Sequence, residues 1–84
     1  MDNYLARKRF DELEVEVSDK DIIFRYGNEE LIYRPREDPP TALTDIERRL
    51  VLEECPDEII EIAVKWAQNY WNDYEERRLR KKYH

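Results

Sequence analysis

Three short stretches carry apolar residues at the spacing of a β-strand, and the second half of the chain changes to helical spacing. Leu13-Glu14-Val15-Glu16-Val17 keeps a strict period of two. Ile22 to Tyr26 and Glu30 to Arg34 are rich in β-branched and aromatic residues. Gly27-Asn28 separates the last two stretches and suits a type II′ hairpin, whose first loop residue needs a positive φ. A two-residue loop there sets a register in which Tyr26 faces Glu29, Arg25 faces Glu30, Phe24 faces Leu31, Ile23 faces Ile32 and Ile22 faces Tyr33. Closing the preceding hairpin around Asp19-Lys20 sets Val17 against Ile22, Val15 against Phe24 and Glu14 against Arg25. One face of the resulting sheet is apolar and needs a cover. The other carries Glu12, Glu14, Glu16, Arg25, Glu30 and Arg34. That charged face reads as the solvated side of an edge strand protected from edge-to-edge pairing.

Pro35 ends the third strand, and Asp38-Pro39-Pro40 reads as an extended connector. Thr44 and Glu47 match a capping box, which predicts a helix over 44–54 with Ile46, Leu50 and Val51 as its apolar positions. Pro56, followed by Asp57 and Glu58, opens a second helix over 56–82. Two stripes run along it: Ile59, Ile62, Ala63, Trp66, Tyr70, Tyr74, and Ile60, Val64, Ala67, Trp71. The pattern predicts an α+β domain spanning 1–84. It comprises an N-terminal arm at 1–9, a three-stranded antiparallel meander at 10–35, a short helix and a long one. The element order is β-β-β-α-α.

Charge changes this picture at both ends. The 84 residues carry a net charge of −6, but residues 11–62 hold 17 acidic and 6 basic side chains. The bases crowd at Arg7, Lys8 and Arg9 and again at Arg77, Arg78, Arg80, Lys81 and Lys82. An acidic middle argues against broad nucleic-acid affinity, while the basic end of the long helix leaves room for local phosphate contact. The start MDNYLARKRF lacks the apolar core of a signal peptide, and no apolar run reaches the roughly 20 residues of a membrane span. One cysteine excludes an internal disulfide and fits a reducing, cytoplasmic compartment. The single histidine is the last residue, so neither a zinc site nor a nucleophile–base pair is expected, and no phosphate-binding glycine loop is present. No enzyme, cofactor or metal chemistry is predicted. Cys55, between the helices, reads either as a thiol activated at a helix N-terminus or as a small buried hydrophobe.

The aromatic cluster Trp66, Tyr70, Trp71 and Tyr74 is the most informative feature. Trp66 and Ile62 read as cover for the sheet, with Trp71 and Tyr74 toward an overhanging end. The two stripes are wider than one small sheet can bury, so the surplus predicts a surface for a protein partner or for a second copy of the chain. A small acidic protein-interaction module is the leading expectation. A nucleic-acid-binding accessory protein is the alternative, using Arg77, Arg78, Arg80, Lys81 and Lys82 with stacking from Tyr83 or Trp71. A third reading is an acidic inhibitor from a mobile element, whose Glu12, Glu14 and Glu16 imitate a phosphate backbone.

Overall fold

The computed structural model describes residues 4–82, and side chains as far as residue 81. Four antiparallel strands form one sheet in the order β1 (Tyr4–Phe10), β2 (Leu13–Ser18), β3 (Ile22–Tyr26), β4 (Glu29–Tyr33). Two helices follow, α1 (Pro40–Leu52) and α2 (Asp57–Lys82). The α+β class, the antiparallel sheet and the short-then-long helix pair agree with the sequence pattern. The strand count does not: the described residues form four strands, because most of the expected N-terminal arm is β1.

The β3–β4 register is the one the hairpin dictates, from Ile22↔Tyr33 to Tyr26↔Glu29. Gly27 has φ 59, while Asn28 does not share the positive φ, the combination a type II′ turn requires. The β2–β3 register also matches, from Glu14↔Arg25 to Val17↔Ile22. Ser18 closes that turn: its backbone N–H donates to the Asp21 carbonyl at 2.9 Å, and its hydroxyl donates to the Asp21 carboxylate at 2.8 Å.

Because β1 pairs along β2, β2 is an interior strand and not the edge its charges suggest. The register sets Arg7 opposite Glu16 and Arg9 opposite Glu14, so the glutamates that resembled an edge's solvated face have cations across from them. The β1–β2 turn sets Asp11 at φ 58, a left-handed conformation that aspartate tolerates better than most residues.

The predicted capping box at Thr44 and Glu47 is not the start of α1. The helix begins a turn earlier with Pro40 at N1, where a missing N–H costs nothing, and Pro39 forms the N-cap without a side-chain bond. The extra turn adds Leu43 to the buried row of Ile46 and Leu50, while Val51 is exposed. The helix ends in a Schellman arrangement: Cys55 N–H donates to the Leu50 carbonyl and Glu54 N–H to the Val51 carbonyl. Its left-handed residue is Glu54, at φ 66, where glycine is usual.

The core collects on the inner face of the sheet. Leu13, Val15, Val17, Ile22, Phe24 and Tyr33 meet Leu43, Ile46 and Leu50 of α1 and Ile60, Ala63, Val64, Ala67 and Trp71 of α2. The small side chains of Ala63 and Ala67 let α2 lie close to the sheet. The 26 residues of α2 span about 39 Å, against about 23 Å for the longest strand. Its last turns therefore run past the sheet and set the long dimension of the molecule, 46 Å against 23 Å in the other two directions.

Candidate interaction surface

The helical phase of α2 decides which aromatics are core. Trp71, expected near the overhang, is 5% exposed. Ile62, expected to cover the sheet, is 54% exposed. The stripe that covers the sheet is Ile60, Val64, Ala67 and Trp71. The stripe of Ile59, Trp66 and Tyr70 lies about 100° round the helix, on the flank nearest β1, and Ile62 lies further round, toward the face away from the sheet.

Strand β1 absorbs part of that second stripe. The Phe10 ring meets Trp66 edge-on at 5.7 Å between centroids, Trp66 packs on Tyr70 at 5.6 Å, and the Tyr70 hydroxyl donates to the Leu5 carbonyl at 3.4 Å. Trp66 and Tyr70 are thereby half-buried, while Ile62, a turn before Trp66, is exposed. Beyond Tyr70 the row opens into a shallow, polar-edged hollow between Trp66, Tyr70, Asn69 and Asp73.

Trp71 is held from outside by the connector before α1. The Arg36 guanidinium lies 5.1 Å from the Trp71 ring centroid, donates to the Asp19 carbonyl at 2.9 Å and engages the Glu75 carboxylate. This one arginine ties the β2–β3 turn, the connector and α2 together around the tryptophan. Tyr74, half-buried, packs against Trp71 at 5.7 Å. Of the four predicted contact aromatics, Trp66 and Tyr70 share one flank, and Trp71 and Tyr74 belong to the clamped end of the core.

The basic end of α2 is largely paired within the helix. Asp73 receives Arg77 at 2.7 Å, Glu76 receives Arg80 at 2.7 Å, and Glu75 lies 3.5 Å from Arg78. The two i,i+4 pairs run acid first, the favourable direction along the helix dipole, and they support turns that have no sheet beneath them among the described residues. Lys81 is exposed. The Lys82 side chain and Tyr83 lie outside the described residues.

On the outer face of the sheet, Arg25 gathers the acids. It holds Glu16 at 2.6 Å and Glu30 at 2.9 Å and reaches Glu14 at 3.5 Å. Bonds to Glu16 and Glu30 hold its guanidinium more firmly protonated than usual. Glu14 and Glu16 are therefore neutralised by the fold, unlike a bare phosphate mimic, whereas Glu12 is exposed. Arg7 is left a 3.9 Å contact with Glu14, and Arg9 has no ion pair among the described residues.

Cys55 is buried, and desolvation pushes its thiol above the usual cysteine range, the environment of a packing residue more than of a nucleophile. Among the described residues, no group of three His, Cys, Asp or Glu side chains is arranged to hold a metal ion, and no helix is long and apolar enough to cross a membrane. Sequence reasoning missed Phe10 as a neighbour of the aromatic flank, and Arg7 and Arg9 as the cations facing Glu16 and Glu14 on the outer side of the sheet. The signal was present in the two-residue spacing of Arg7 and Arg9 against Glu14 and Glu16 across an Asp11-Glu12 turn. The chain matches no family model, no curated protein and no solved structure.

Proposed function

We infer that the chain is a non-enzymatic protein-interaction module whose contact surface is the flank of α2 centred on Ile62, Trp66 and Tyr70, with β1 beside it. The observation that carries this reading is Ile62. It is a large apolar side chain, 54% exposed, one and two turns before two half-buried aromatics, Trp66 and Tyr70. Such a row offers an aromatic anchor and an apolar neighbour at low conformational cost. Nucleic-acid binding through the end of α2 is weaker on the same grounds, since Arg77, Arg78 and Arg80 each have an acid within reach in their own helix.

The test is affinity capture of the tagged chain from the cells that make it, after nuclease treatment, comparing the wild type with Ile62→Asp. The expected result is a protein retained by the wild type and lost from the variant, with both circular-dichroism spectra alike. Sedimentation of the same two proteins distinguishes a second copy from a different partner. Material that disappears with nuclease, or that Ile62→Asp retains unchanged, contradicts the reading.

A further inference from the structure

The β1 edge of the sheet and the β4 edge differ in how well their charges are met. At β4, Glu29 receives Arg49 at 2.7 Å, which holds its carboxyl below the usual range, and Glu30 receives Arg25 at 2.9 Å. At β1, three successive bases, Arg7, Lys8 and Arg9, lie on a strand with no neighbour on its outer side among the described residues. Arg25 draws Glu16, and part of Glu14, away from them. The β1 edge therefore combines a backbone unpaired among the described residues, under-neutralised cations and the flank of Trp66 and Tyr70.

We propose that β1 accepts an extended segment of a partner protein as a fifth strand, one in which acidic and apolar residues alternate. This rests on the interaction-module reading and names the chemistry of its partner. The pattern has a precedent within the molecule: β2 alternates glutamate with valine and sets its glutamates opposite Arg7 and Arg9. A strand of the same pattern on the free side brings carboxylates to those arginines on the outer face and apolar residues toward Trp66 on the inner one. A second copy is a poorer occupant. Its β1 sets the Arg7–Arg9 triplet against itself, and the acids of its β4 are already engaged.

The probe is a fluorescein-labelled peptide copying residues 12–18, with a scrambled peptide of the same composition as control. The whole chain is titrated by anisotropy, and amide hydrogen exchange is followed with and without peptide. Saturable binding is expected, weakened about tenfold by Arg7→Glu with Arg9→Glu and by a smaller factor in the Arg7→Gln, Arg9→Gln pair, which adds no repulsion. New amide protection should appear in residues 4–10 and not in residues 29–33. The absence of saturable binding overturns strand addition, and so does binding without protection of β1. Equal binding of the scrambled peptide, or tighter competition by an oligothymidylate, overturns it as well. If Ile62→Asp abolishes protein capture while the peptide leaves β1 unprotected, the surface stands and the fifth strand falls.

Discussion

The two ends of α2 are held by different forces. The first four turns, through Trp71, lie on the sheet and gain stability by removing Ile60, Ala63, Val64 and Ala67 from water. The last turns have none of the described strands beneath them and are supported by their own acid–base pairs. Packing contributes kilocalories and is lost only when the core opens. Exposed ion pairs contribute little and exchange partners readily. The packed end is therefore fixed by the fold, and the projecting end can change without cost to it. Arg36 marks the boundary, reaching Trp71 on one side and Glu75 on the other.

The largest effect should come from breaking the packed end. Trp71→Ala removes a buried indole and the platform for Arg36, and should cost about 3 to 4 kcal/mol in urea unfolding. A loss below about 1 kcal/mol would mean that α2 does not need its tryptophan to hold the sheet. Phe10→Ala should cost about 1 to 2 kcal/mol, since the ring is half-buried. Its signature is a red shift in Trp66 fluorescence, read with Trp71→Phe as background. An unshifted spectrum would separate β1 from the aromatic flank. Glu54→Gly should raise stability by about 1 kcal/mol by relieving the left-handed strain before α2. An unchanged urea midpoint would show that the chain relaxes this strain another way. The smallest effect belongs to the projecting end. Truncation after Glu76 should shift Tm by less than about 4 °C, with a loss of helical ellipticity in proportion to the residues removed. A larger shift would place the projecting end within the cooperative fold.

The parts of the fold legible in the sequence are those fixed by local chemistry. Gly27 selects the turn, and the turn sets every pair of β3 and β4. Pro56 places the start of α2 within one residue, while α1 ends at Leu52, two residues before the expected 54. What was not legible depends on distant partners. Three consecutive bases hide the alternation of β1, and only the glutamates of β2 across the Asp11-Glu12 turn make it a strand. Thr44 and Glu47 satisfy a capping pattern, yet Pro40 begins the helix a turn earlier, and that turn buries Leu43. The candidate surface was half visible: Trp66 and Tyr70 were named from their spacing. Ile62 changes place with Trp71 because two alanines, and not the aromatics, set the face that α2 turns to the sheet.

The most direct measurement is site-specific photocrosslinking in the cells that make the protein, with benzoylphenylalanine placed at Ile62 in one variant and at Leu79 in another. Both side chains are exposed, one a turn before Trp66 and one on the projecting end. A discrete protein adduct is expected from position 62 and none from position 79. An adduct from position 79 with none from position 62 contradicts this expectation and moves the contact to the projecting end of α2.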